Sequence, residues 1–405
     1  MNAPAVPALL ATVELAPRDP ILGVSEAFNA DPNPRKVNLG VGVYCDDTGR
    51  IPLLECVKRA ERELTDAAAP RGYLPIDGIA AYDREARVLH FGSGSDVIRQ
   101  NRVATVQTLG GTGGLRVGAE FIRRFAPGAQ VWISDPSWEN HRALFEGAGF
   151  TVNSYPYFDA KTRGLDFGAM HKALLRLPAG AIVVLHACCH NPTGVDPNLA
   201  QWEEITEAVR KRGAVPFVDL AYQGFGDGID ADAAVVRRFA ATPGPLIVAS
   251  SYSKNFSLYG ERIGALSVVG DDQDEAARVL SQLKRVIRAS YSTPPTHGAQ
   301  IVTTVLGSPE LRALWEAELA TMRNRIKLMR ARLVETLHER LPGVDFRYML
   351  AQRGMFSYTG LSNEQVLRLR EKFSIYAIDT GRICVAALNS RNVDYAADAI
   401  AAVQR

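Results

Sequence analysis

No charge of one sign dominates this sequence: 46 Lys and Arg stand against 44 Asp and Glu, for a formal net charge of +2. Polyanion binders carry a basic excess or long basic runs, so nucleic acid and anionic membrane are excluded as main partners and a small ligand is expected. No apolar run approaches the roughly 18 residues of a membrane span, and no basic residue precedes Arg18, so neither a span nor a signal-peptide n-region is expected. The cysteines, Cys45, Cys56, Cys188, Cys189 and Cys384, are odd in number. They lack both disulfide-framework and CxxC spacing, which predicts reduced thiols and a cytoplasmic protein.

What is present is an ordinary globular composition, 47% hydrophobic and 22% charged over 405 residues. A chain of this length buries roughly three quarters of its surface. The first 20 residues hold four prolines and no period, which predicts an N-terminal arm, either frayed or lying on a partner subunit. Beyond it, β-rich runs alternate with helical patterns. Strands are predicted at 102–108, 131–134, 151–157, 181–185, 216–220, 246–249 and 263–269, and a helix at 111–125. The near-continuous apolar character of these runs predicts an α/β fold, a mostly parallel sheet wrapped by helices on both faces. Between Pro309 and Pro342 there is no Gly or Pro, and Leu311, Trp315, Leu319, Met322, Ile326, Met329 and Leu333 recur at helical spacing. One helix of roughly 45 Å is longer than one domain needs. It predicts a large domain over 51–329 and a smaller α/β domain from 21–50 with 330–405, the alternative being a surface helix on a single domain.

Four segments carry chemistry. Leu109-Gly110-Gly111-Thr112-Gly113-Gly114 lies between a strand and a helix, where glycine N–H groups, the Thr112 hydroxyl and the helix N-terminus suit a phosphate. A tight turn without ligand has the same pattern. A dinucleotide fingerprint does not fit, because Arg116 holds the place of its third glycine. Ser251-Tyr252-Ser253-Lys254 follows an apolar strand, with Arg262 nearby. That is an amine able to condense with a carbonyl beside a phosphate grip, or alternatively an exposed loop lysine. Asp219 ends another apolar strand, with Tyr222 three residues on; it is a counter-ion for a pyridinium or a helix N-cap. Finally, His186, Cys188, Cys189 and His190 offer metal ligands. Adjacent cysteines fit one tetrahedral ion poorly and no second cluster completes a zinc site, so Asn191-Pro192-Thr193-Gly194 reads better as a turn presenting the Asn191 amide.

In this order, the Asn191-Pro192-Thr193-Gly194 turn, Asp219 with Tyr222, Ser251-x-Ser253-Lys254 with Arg262, and Gly381-Arg382 resemble the class I aminotransferases of pyridoxal-phosphate fold type I. The resemblance spans almost the whole chain, from Asp19-Pro20-Ile21-Leu22 to Arg382, and is strongest to the bacterial aspartate and aromatic amino-acid (tyrosine) enzymes. It implies pyridoxal 5'-phosphate as cofactor, bonded covalently by Lys254, with Asp219 on the ring nitrogen and Asn191 and Tyr222 on the phenolic oxygen. It further implies Trp138 stacked on the ring with His141 behind it, supporting Asp219. Gly111, Thr112, Ser251, Ser253 and Arg262 would hold the phosphate, and Arg382 with the Gly42 backbone the substrate α-carboxylate. Tyr73 and Arg288 match residues that relatives borrow from a neighbouring subunit, which implies a homodimer with shared sites acting on amino acids and 2-oxo acids by a ping-pong mechanism.

At the rim positions that separate the two enzyme groups stand Cys45, Ile51 and Thr293. Ile51 matches the aromatic group, as do the stretches Gln107-Thr108-Leu109-Gly110-Gly111 and Gln352-Arg353-Gly354-Met355-Phe356-Ser357-Tyr358-Thr359-Gly360. An aromatic amino-acid aminotransferase that keeps aspartate activity is therefore expected, with an aspartate aminotransferase as the alternative and a zinc-binding protein as the remote one.

Overall fold

The computed structural model describes residues 9–16 and 22–405. Most of the expected arm, and the Asp19-Pro20-Ile21 start of the family resemblance, lie outside them. Within the described part, Leu9–Thr12 forms a 3-10 turn, and Leu10, Val13 and Leu15 are exposed.

The centre is a seven-stranded sheet. Its strands, numbered along the chain, are β1 (Val103–Leu109), β2 (Val131–Asp135), β3 (Val152–Pro156), β4 (Ile182–His186), β5 (Val215–Leu220), β6 (Leu246–Ser251) and β7 (Ile263–Val269). In space they run β1-β7-β6-β5-β4-β2-β3. All neighbours from β6 to β3 are parallel, while β7 is antiparallel to both β1 and β6. Apolar runs predict this for the interior: every residue of β4, β6 and β7 is buried, as expected when helices cover both faces. The expectation fails at the edge. Only Tyr155 of β3 is buried, because Asn153 and Ser154 stand where a covered strand would carry apolar side chains.

The long helix forms as predicted, from Pro309 to Arg340. Ser308 accepts a bond from the Leu311 N–H and Pro309 opens the first turn, the usual way to start a helix. Its 32 residues reach ~48 Å. Near its start Trp315 is fully buried, stacked on Phe256 at 4.7 Å, and its indole N–H donates to the Asn255 carbonyl at 2.7 Å. Further along, Arg330 is buried and donates to Ser357 Oγ at 3.1 Å and to the Gly354 and Phe356 carbonyls. Two small sheets adjoin this second half: Val37–Asn38 beside Ile375–Tyr376, and Phe356–Tyr358 beside Arg382–Cys384. One apolar cluster runs without a break from Val183 and Val218 in the large sheet to Leu333, Val366 and Ile400. Among the described residues, no helix is long and apolar enough to cross a membrane.

The sheet packs hardest where β7 passes the end of β1. A Cβ on Gly264 would lie 2.4 Å from the Gly110 carbonyl carbon and 2.5 Å from the Ser250 carbonyl oxygen. Both obstacles are backbone, so neither can rotate away. Gly264→Ala is expected to cost roughly 1–3 kcal/mol of stability through overpacking, read as a lower urea midpoint at unchanged slope. An unchanged midpoint would show that the approach is looser than these distances.

Candidate active site

Parallel strands of unlike neighbours leave their C-terminal ends open, and polar loops there converge on one crevice. At the ends of β4, β5 and β6 stand His186, Asp219 and Ser251, while β1 runs straight into the helix Gly110–Phe125. Between them lies a cavity of about 380 Å³. Gly42, Gly111, Thr112, Trp138, Asn191, Asp219, Tyr222, Ser251, Ser253, Lys254 and Arg262 all line it, so eleven of the sequence-predicted residues meet in one place.

One end is a cup of donors. Ser251 Oγ donates to Ser253 Oγ at 3.1 Å, and Arg262 Nη1 donates to the same Ser253 oxygen at 3.2 Å. The start of the helix at Gly111 and Thr112 forms the facing wall, adding N–H groups without intrahelical partners. Gly110 must be glycine here: its φ is +68°, and a Cβ would lie 2.4 Å from Arg262 Nη2.

The middle holds an acid and an amine. Asp219 ends β5 and is buried, with no helix starting beside it. His141 Nε2 donates to its Oδ2 at 2.9 Å. That direction leaves His141 Nδ1 to accept from Ser137 Oγ, also at 2.9 Å. Burial alone would raise the Asp219 carboxyl. The His141 hydrogen bond, with the Lys254 charge, outweighs it and holds the group below its ordinary value. Lys254 is half-buried, its Nζ 5.0 Å from the Tyr222 ring centre. Burial lowers its amine, with Asp219 pulling it back up and Arg262 pushing it down. The amine is thus drawn toward the neutral, nucleophilic form.

Arg382 is not among the lining residues and reaches the cavity through Asn191, which is. Arg382 is 1% exposed. Its Nη1 donates to Asn191 Oδ1 at 3.0 Å and its Nη2 to the Gly40 carbonyl at 2.7 Å, and it lies 4.3 Å over the Phe356 ring. Its buried Nε has no partner. Asn191 in turn extends its amide toward the Tyr222 hydroxyl at 3.5 Å.

Tyr73 and Arg288 do not join this cavity. Tyr73 is 98% exposed, and Arg288, also exposed, donates to Ser292 Oγ. Cys45, Ile51 and Thr293 do not line it either. The zinc candidates separate: Cys188 and Cys189 lie with Asp232, whereas His186 lies with His141 and Asp219. Three site residues escaped sequence reasoning as such. His186 lines the cavity with an unpartnered Nε2, burial and the His141 charge having lowered its pKa to about 3. Tyr259 also lines it, its hydroxyl accepting the Tyr44 N–H at 2.9 Å. Arg330 supports the Phe356 strand beneath Arg382. No local signal marks the last two, whose partners are distant in sequence.

A family model described as aminotransferase class I and II matches residues 34–400, and the chain belongs to that family. It is 58% identical to an aspartate aminotransferase of Pseudomonas aeruginosa, over 98% of this chain and 99% of that one. It is also 50% identical to the aromatic-amino-acid aminotransferase of Escherichia coli, over 95% of this chain and 97% of that one. Among solved structures it resembles an aromatic-amino-acid aminotransferase of Burkholderia pseudomallei covalently bound to pyridoxal phosphate, at 62% identity and a TM-score of 0.96 over 98% of this chain and 100% of that one.

The His141 bond has a measurable consequence for stability. A carboxyl held below its unfolded value of 3.8 stabilises the fold above that pH, and the contribution is lost as pH falls through the folded value. His141→Phe removes the bond and leaves burial unopposed by it. The variant is expected to melt lower at neutral pH, by about 1–3 kcal/mol, and to lose less stability than the wild type on acidification to pH 3. Parallel stability-against-pH curves would contradict this.

Proposed function

We propose that this aminotransferase uses pyridoxal 5'-phosphate to move the amino group of tyrosine or phenylalanine, and also of aspartate, to 2-oxoglutarate. The observation that carries the reading is the placing of the Lys254 amine between an ionised buried acid, Asp219, and the Ser251, Ser253 and Arg262 donor cup. A pyridine aldehyde phosphate presents those three chemistries: a ring nitrogen, a carbonyl and a dianion. The unpartnered Arg382 Nε leaves a donor free for a substrate carboxylate.

When bound, the cofactor supplies an electron sink for the bond to the substrate Cα hydrogen. The rest is work for the chain's own side chains. Ser251, Ser253, Arg262, Gly111 and Thr112 would hold the phosphate, with Trp138 packing against the ring. Asp219, oriented by His141, would keep a proton on the ring nitrogen, and Asn191 and Tyr222 would bond the phenolic oxygen. Arg382, steadied by Asn191 and the Gly40 carbonyl, grips the α-carboxylate beside the Gly42 backbone. Lys254 Nζ, drawn toward neutrality, anchors the cofactor and later carries the proton away from Cα. Two half-reactions at one site give ping-pong kinetics.

Tyr73 and Arg288 complete the site of a neighbouring subunit in a homodimer. Their exposure and their distance from this chain's own cavity support that assignment, as do the exposed Ile51 and Leu53. Residues 21–50 with 330–405 act as the small domain, 51–329 as the large one, and the balanced charge and free cysteines suit a cytoplasmic enzyme. The 58% identity to an aspartate aminotransferase favours a second reading in which aromatic substrates are poor.

Lys254→Ala is expected to lower kcat by at least about 10³-fold while still binding cofactor; wild-type turnover would remove Lys254 from its role. Steady-state comparison of tyrosine, phenylalanine and aspartate with 2-oxoglutarate decides between the two readings, and turnover of aspartate alone selects the second. In the aromatic enzyme, Ile51→Thr sets a hydroxyl against a desolvated ring. It should lower kcat/KM for tyrosine about tenfold more than for aspartate, and equal losses would take Ile51 out of the rim.

A further inference from the structure

Gln107 is fully buried on β1, three residues before Gly110. Its contacts reach two other segments. Its backbone N–H donates to the Asp77 carbonyl at 2.8 Å, and its side-chain amide donates to the Pro295 carbonyl at 2.6 Å. Gly78, at φ +104°, lies directly on it, where a Cβ would come within 2.4 Å of Gln107 Cβ. The Tyr291 hydroxyl donates to the Gln107 carbonyl at 3.4 Å. Asp77 then ties back to the helix Gln273–Ser290 through Lys284, at 2.8 Å.

Asp77 and Gly78 follow Tyr73 by a few residues, and Tyr291 and Pro295 follow Arg288. The segments that carry these two exposed side chains are therefore both hydrogen-bonded to one buried glutamine, the Asp77 segment through its backbone N–H and the Pro295 segment through its side-chain amide. Arg288 donates to the hydroxyl of Ser292, a residue of the turn that follows its own helix, so its direction follows the backbone that carries both. Side chains that must meet a substrate within about half an ångström need such a fixed base.

We propose that Gln107 is a positioning residue that acts in trans: its side-chain amide, bonded to the Pro295 carbonyl, holds the segment that carries Arg288 of one subunit in the geometry that completes the other subunit's site. This rests on the shared-site reading given above. Because Gln107 also leads into Gly111 and Thr112 of its own cavity, action in cis is the competing possibility, and the two separate cleanly in hybrid dimers.

The test uses Gln107→Leu, of similar volume, and Gln107→Glu, which keeps the shape but loses the donor to Pro295, both as holoenzymes. Each homodimer is expected to bind succinate, a non-reacting dicarboxylate, on the order of tenfold more weakly by calorimetry, and to show a raised KM for 2-oxoglutarate with a smaller change in kcat. Either variant is then paired with Lys254→Ala subunits. The one site retaining Lys254 receives Tyr73 and Arg288 from a subunit whose Gln107 is intact, so its KM for 2-oxoglutarate should return to the wild-type value. A KM that stays raised in the hybrid, or unchanged succinate affinity in both homodimers, overturns the proposal. A parallel hybrid of Arg288→Ala with Lys254→Ala subunits tests the shared-site reading alone. Recovered activity there, with no relief in the Gln107 hybrids, rejects only the role of Gln107; no recovery there rejects the sharing itself.

Discussion

An ionised carboxylate at the end of a buried strand is the constraint on which this site depends. Asp219 loses its hydration by lying on β5, and it stays charged only because His141 donates to it and nearby cations offset the loss. The Ser137 hydroxyl, bonded to the other ring nitrogen, holds the imidazole in place. The strand order then decides what surrounds the acid. With β4 and β6 on either side of β5, the turn bearing Asn191 and the loop bearing Lys254 have to flank it, and β1 brings the glycine-rich helix start to the far wall.

Much of this could be read in the sequence because it is local. Seven apolar runs and a 32-residue stretch without a helix breaker state their own structure, and β7 covers the very residues, 263–269, that its composition marks. Lys254, Asp219 and Asn191 were legible for a related reason: each stands at or shortly after the C-terminal end of such a run, where a strand ends at the crevice. What stayed hidden depends on contacts between distant residues. Tyr259 meets Tyr44 across 215 positions, Arg382 meets Asn191 across 191, and no pattern in either segment announces the other. The antiparallel direction of β7 and the polar exposure of β3 are likewise properties of neighbours, not of the runs themselves.

Arg330 shows how a side chain remote from the reacting atoms still shapes them. Its guanidinium is buried without a carboxylate, and burial lowers it to about 10, which still leaves it charged at neutral pH. Its donors are taken by Ser357 and by the carbonyls of Gly354 and Phe356. That satisfies the cation and at the same time fixes the short strand whose Phe356 ring lies under Arg382. The long helix therefore reaches residues next to the site at several points, among them Trp315 on the Asn255 carbonyl, Arg325 on the Cys45 carbonyl and Arg330 on the Phe356 carbonyl.

The chain is almost neutral as a whole, yet its cavity is not. Arg262 lines it and Arg382 bonds to the lining residue Asn191, so two guanidiniums stand against Asp219, the only acid among the described lining residues. A positive concavity with low-dielectric walls concentrates field lines on a nearly uncharged body. Doubly anionic ligands would then be drawn in from several ångströms away without the nonspecific attraction that a basic surface exerts on polyanions. Their rate of capture, more than their affinity once seated, would weaken as ionic strength rises.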